Sequence, residues 1–125
     1  MLNNYLAIAI GGALGACLRY ACYEWVIHLF GRAFPFATLL VNILGSFAIG
    51  LLYGFTLSEQ FASDPWRLFI GVGILGAFTT FSTFSMDTVF MLQQGCWLKA
   101  GANIVLNVVL CLTLTWLGFK LATLK

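Results

Sequence analysis

Four long apolar stretches dominate this chain, at residues 2–27, 37–57, 66–92 and 98–121, and most of its charges fall at or beyond their ends. Each is about as long as the ~20 apolar residues that an α-helix needs to cross a bilayer. Lipid offers backbone groups no hydrogen bonds, so a spanning segment must satisfy its own. Composition agrees: 62% of residues are hydrophobic and 8% charged, against about 25% charged in a soluble domain. The reading is an all-α membrane protein of four transmembrane helices, one domain over residues 1–125, with short loops taking the remaining length. The first stretch has no Lys or Arg in residues 1–10 and stays apolar past Ala16, so it is expected to be retained as a helix rather than cleaved as a signal peptide.

The third stretch is unusual at its centre. Gly76-Ala-Phe-Thr-Thr-Phe-Ser-Thr-Phe-Ser85 interleaves hydroxyls with Phe78, Phe81 and Phe84, where an ordinary membrane helix would carry Leu and Val. Ser and Thr compete with a helix for its own backbone groups, and opened backbone inside a bilayer is tolerated only when buried in protein or lining a watery cavity. Two readings stand side by side. Either this helix is broken, exposing carbonyls and rings at the membrane midplane, or it is continuous with hydroxyls bonded to i−4 carbonyls.

Elsewhere the polar residues recur at four-residue spacing. In the first stretch Ala7, Gly11 and Gly15 form a small-residue line that lets another helix approach closely, and Arg19 continues it. Arg19 either faces a partner or water-filled cavity or snorkels to the interface. Trp25 and His28 mark the exit from that stretch, with His28 an interfacial residue. The second stretch carries Asn42, Ser46, Gly50 and Gly54; Asn42 is either helix–helix glue or a pore-lining donor. The fourth carries Asn103, Asn107, Cys111 and Thr115, a ladder read as helix packing or as a hydrophilic path. Asp87 is open between a vestibule carboxylate and a partner for Arg19. Cys17, Cys22, Cys96 and Cys111 lack paired or metal-binding spacing and read as packing residues.

Net charge is +2, too small and scattered to suggest nucleic acid. Arg67, Lys120 and Lys125 would lie on one side of the membrane, in the loop from Ser58 to Arg67 and near the chain's end. Arg32 and Lys99 would lie on the other, joined by Arg19 if it snorkels. Positive charge on cytoplasmic loops sets orientation, so this near-tie predicts insertion both ways and pairing as an inverted dimer. Its two-fold axis would lie in the membrane plane, as in inverted-repeat transporters, bringing two third stretches together.

Gly11-Gly12-x-x-Gly15-x-x-x-Arg19, Thr38-Leu-x-Val41-Asn42-x-x-Gly45-Ser46 and Gly76-x-x-Thr79-Thr80-Phe81-Ser82-Thr83-Phe84-Ser85 closely resemble the CrcB/Fluc fluoride channel family. The Thr-Thr-Phe-Ser-Thr-Phe string is the specific part. The resemblance implies a dual-topology antiparallel homodimer in the inner bacterial membrane, with two narrow pores and one structural sodium ion at its centre. It implies that backbone carbonyls of Gly76 and Thr79 from both subunits hold the sodium. Phe81 and Phe84 match the pore phenylalanines, and Asn42, Ser82 and Thr83 match polar pore positions. Asn107, Cys111 and Thr115 align with a helix-four polar track, and Arg19 with a vestibule base. Two departures stand out: Cys111 falls where relatives commonly carry a hydroxyl, and Asp87 where they often carry Glu.

The implied function is passive, selective passage of fluoride that lowers cytoplasmic fluoride. A phenyl ring has a positive edge, suited to an anion stripped of water, whereas full positive charges would hold fluoride too well for rapid exit. Two other functions compete. A small multidrug exporter of inverted-dimer design should carry a carboxylate deep in helix one, where this chain has only Glu24 near the end. A structural subunit of a larger membrane complex would pass no ions alone. With one His and no nucleophile–base or metal constellation, an enzyme is not expected.

Overall fold

The computed structural model describes residues 1–57 and 64–124, with Asp64 described in its backbone alone. Lys125, which enters the charge comparison, lies outside the described residues. Four helices are long and apolar enough to cross a membrane: Leu2–Phe30, Phe36–Leu57, Pro65–Gln93 and Trp97–Thr123.

The first of these, α1 (Leu2–Phe30), runs three residues beyond the expected Ile27 and ends where Gly31 turns to φ 73°, its N–H donating to the Ile27 carbonyl at 2.8 Å. Only glycine takes such a left-handed φ without steric cost. Trp25 and His28 therefore sit inside the final turns of the helix. α2 is Phe36–Leu57. The third span is composite: α3 (Asp64–Arg67), a π-helix over Leu68–Leu75, the single turn α4 (Gly76–Phe78) and α5 (Phe81–Gln93). Between α4 and α5 the backbone is extended, at φ −82°, ψ 159° for Thr79 and φ −154°, ψ 114° for Thr80. A tight turn with Gly95 at φ 77° leads into α6 (Trp97–Thr123).

Two pairs of helices carry most of the packing, α2 on α6 and α1 on the π-helix, and in both the contact is glycine against backbone. A Cβ placed on Gly11 would strike the Phe69 carbonyl, and one on Gly15 the Ile74 carbonyl. The small-residue line of α1 thus finds its partner in the third span; Gly12, off that line, faces open space. On α2, Gly50 meets the backbone of Thr115 and Phe119 and Gly54 meets Ala122, while Gly118 of α6 meets the Phe47 carbonyl. Without side chains at these points the helices approach closely enough for dispersion between backbones to hold them, the usual route to association in lipid. The large apolar side chains of α1 and α6, among them Leu14, Leu18, Val105 and Leu112, are exposed, as suits surfaces that meet hydrocarbon.

Candidate functional site

The extended pair Thr79–Thr80 lies at the centre of a polar cluster drawn from four helices. Leaving a helix strands backbone groups that a bilayer interior cannot satisfy, and the side chains around Thr80 take them up. Asn42 of α2 lies alongside it as a second strand would. Its Oδ1 accepts from the Thr80 N–H at 2.8 Å and its Nδ2 donates to the Thr80 carbonyl at 3.0 Å. The Thr80 hydroxyl accepts from the Thr83 N–H at 3.1 Å, capping α5 as N-cap threonines do. Thr79 is steadied through its hydroxyl, which donates to the Leu75 carbonyl at 2.9 Å, and its methyl fills the space left by the bare Cα of Gly45.

These diversions have a specific consequence. In a continuous helix the N–H groups of Thr80 and Thr83 would serve the carbonyls four residues back, those of Gly76 and Thr79. Here they are engaged by Asn42 and by the Thr80 hydroxyl. Gly76 and Thr79 are the residues whose carbonyls the family resemblance assigns to sodium. Neutral carbonyl oxygens are fitting donors for a hard cation. Among the described residues no group of three or more His, Cys, Asp or Glu is placed to hold a metal. At Thr79 the fit is contested, because Arg19 donates to that carbonyl over a long 3.4 Å; a carbonyl keeps a second lone pair.

The Asn42 amide faces a cavity of about 500 Å³. Phe81, Phe84, Asn107, Cys111, Ser46 and Gly76 share its wall. The rings of Phe81 and Phe84 are 5.2 Å apart and tilted by 52°. They differ sharply in setting: Phe84 is 8% exposed and Phe81 77%. The remaining polar residues read from the sequence fall elsewhere. Ser82 is exposed, 3.3 Å from the Thr80 hydroxyl, and Thr83 supplies the N–H that the Thr80 cap accepts, its own hydroxyl 3.0 Å from that of Thr80. Thr115 does not line the cavity; it lies where Gly50 packs against α6. Asn103 is fully buried. The four-residue stripes therefore divide along their length, with Asn42 and Ser46 on the cavity and Gly50 and Gly54 in the α2–α6 contact.

Arg19 and Asp87 do not pair within the chain. Asp87 accepts from the Thr38 hydroxyl at 2.8 Å, and Thr38 is 2.7 Å from the Tyr23 hydroxyl. Because the Thr38 proton points to the carboxylate, Tyr23 is the donor to Thr38, and one proton chain runs from α1 through α2 to α5. Tyr23 and Thr38 were not legible as site residues. The signal for Tyr23 was its place four residues after Arg19, on the line begun by Ala7, Gly11 and Gly15.

A chain with four helices long and apolar enough to span a membrane, a third span extended at its centre, and a cavity edged by two phenyl rings and two asparagines belongs to the class of small polytopic membrane proteins. The family model described as CrcB-like protein, Camphor Resistance (CrcB), matches residues 6–119, and the chain belongs to this CrcB family. It is 56% identical over 114 residues to a protein of Vibrio parahaemolyticus named fluoride-specific ion channel FluC, covering 91% of this chain and 90% of that one. A Pseudoalteromonas translucida protein of the same name is 53% identical over 118 residues, covering 94% and 98%. One from Vibrio cholerae is 52% identical over 112 residues, covering 90% and 89%.

Proposed function

We propose that this chain is a fluoride channel, passing F− passively down its gradient and so lowering cytoplasmic fluoride. The observation that carries the substrate is the name borne by its relatives at 52–56% identity over about nine-tenths of both chains. The geometry supplies a mechanism. Fluoride sheds water reluctantly, so a pore must offer partial positive charge in its place. The edges of Phe81 and Phe84 present such charge, and the N-terminus of α5, which begins at Phe81, directs its dipole toward the same region. Neither is a full charge, so the ion is held only moderately and leaves again.

The working unit is an antiparallel homodimer in the inner membrane. In a single chain Phe81 is 77% exposed and Gly76 is likewise exposed. Lipid could cover the ring but not a polar backbone edge at mid-span, which calls for a second protein surface, and an inverted copy supplies one. The carbonyls of Gly76 and Thr79 from both copies would hold the structural sodium, which contributes fixed positive charge at the dimer centre. Arg19, beside the Thr79 carbonyl, draws anions toward the vestibule.

The test is current through a planar bilayer containing purified protein, with no proton gradient and with fluoride and chloride on opposite sides. A channel gives a current whose reversal potential follows fluoride. A proton-coupled exporter or a structural subunit gives none, and that result would remove the proposal. Reporter tags at the C-terminus test the dimer separately: signal from one side of the membrane alone refutes dual insertion.

A further inference from the structure

Beyond the cavity, three asparagines and a threonine form one directed chain. The Thr80 N–H can only donate, so the Asn42 atom facing it is Oδ1, and Nδ2 is left to donate to the Thr80 carbonyl and to Asn107 Oδ1 at 3.1 Å. That fixes Asn107 in turn. Its Nδ2 donates to the Asn103 backbone carbonyl at 2.9 Å and to Asn103 Oδ1 at 3.0 Å. Asn103 Nδ2 then donates to the Thr88 hydroxyl at 3.0 Å, and Thr88 donates to the Phe84 carbonyl at 2.8 Å. Every link points the same way. Reversing the Asn42 or the Asn107 amide would set donor against donor or oxygen against oxygen at three contacts.

Both Nδ2 protons of Asn42 are therefore engaged inside the chain, one by Thr80 and one by Asn107. The Thr80 bond holds the extended backbone. The Asn107 bond lies at the wall of the cavity, since Asn42 and Asn107 both line it. An anion entering the cavity must displace Asn107 Oδ1 before it can take that proton.

We infer that Asn103 is a positioning residue, which turns the Asn107 carbonyl onto Asn42 so that a protein oxygen occupies the Asn42 N–H between ions and yields it when an ion arrives. The arrangement exchanges one hydrogen bond for another and so weakens net binding, as rapid exit requires. Asn103 itself is fully buried and is not part of the cavity wall, and Thr88, which sets its orientation, is 7% exposed. Both act only through Asn107. The inference rests on the fluoride-channel reading.

Initial fluoride efflux from proteoliposomes, measured over a range of internal fluoride, separates half-saturating concentration from maximal rate. Asn103→Leu removes the side-chain half of the anchor on Asn107 and leaves only its bond to the residue-103 backbone carbonyl, so the Asn107 amide is held less firmly against Asn42. Thr88→Val, nearly isosteric and tolerated if Asn103→Leu fails to fold, leaves Asn103 without its orienting oxygen. Each weakens the hold of Asn107 Oδ1 on the Asn42 N–H. Half-saturating fluoride falls roughly fivefold, the typical net worth of one hydrogen bond, and the maximal rate falls with it. Thr88→Ser, which restores the hydroxyl, returns both values to wild type. A lower maximal rate with half-saturation unchanged or raised is the mark of a purely structural role and overturns the inference. Failure of wild-type protein to release fluoride would instead overturn the channel reading on which it stands.

Discussion

Asn42→Leu should undo the extended segment. The substitution keeps most of the side-chain volume and removes three hydrogen bonds: two to the Thr80 backbone at 2.8 and 3.0 Å and one to Asn107 at 3.1 Å. Side-chain bonds within membrane proteins average ~0.6 kcal/mol each, which sets a floor of roughly 2 kcal/mol for three. Stranding a buried polar group costs about 1–3 kcal/mol, and Thr80 is 6% exposed, so the true value should lie above that floor. Relief is available, because the freed Thr80 N–H can return to the Gly76 carbonyl and rewind the helix. That limits the loss to roughly 4 kcal/mol, at the expense of the backbone geometry around the cavity. At about 4 °C per kcal/mol for a chain of this size, thermal unfolding in detergent should fall by roughly 8–16 °C, and proteoliposome fluoride flux by more than about tenfold. A midpoint within about 2 °C of wild type, with flux intact, would show that Asn42 does not hold Thr80.

Other substitutions probe the remaining contacts. Gly15→Ala places a methyl on the Ile74 carbonyl and should destabilise by about 1–3 kcal/mol or more; Gly12→Ala, facing open space, should unfold with wild type in the same melt. Thr38→Val removes the hydroxyl shared by Tyr23 and Asp87. It should lower stability by about 2 kcal/mol, the scale of a bond to a charged group, with Thr38→Ser close to wild type in thermal unfolding. Phe81→Ile should reduce fluoride flux while leaving the fold intact, since that ring is 77% exposed in one chain; Phe84→Ile, at 8%, should reduce both. Flux unchanged in both variants would take the rings out of the mechanism.

The spans were legible because hydropathy over ~20 residues is a strong signal in lipid. The Gly11–Gly15 line announced a close approach, and the partner proved to be a π-helix. That element could not be read: Leu68–Leu75 is apolar almost throughout, and its Gly76 N–H reaches back to the Gly71 carbonyl with no periodicity in the sequence to mark it. Asn42 was open between glue and pore donor because both uses need the same amide; in the structure it binds Thr80 while facing the cavity. The helix-four stripe was open between packing and path, and the structure uses it for both: Asn107 and Cys111 line the cavity. Four-residue spacing specifies a face but not what covers it, and Gly50 brings α2 onto that face at Thr115. Tyr23 escaped notice because an aromatic near a helix end reads as an interfacial anchor, and its hydroxyl partner Thr38 belongs to another helix.

The most direct test of the central claim is a fluoride-electrode trace from liposomes loaded with potassium fluoride and chloride, carrying purified protein, in sodium-containing buffer. When potassium is made permeable, fluoride should leave promptly while chloride stays inside. Liposomes that retain their fluoride, or release both halides together, would contradict the account.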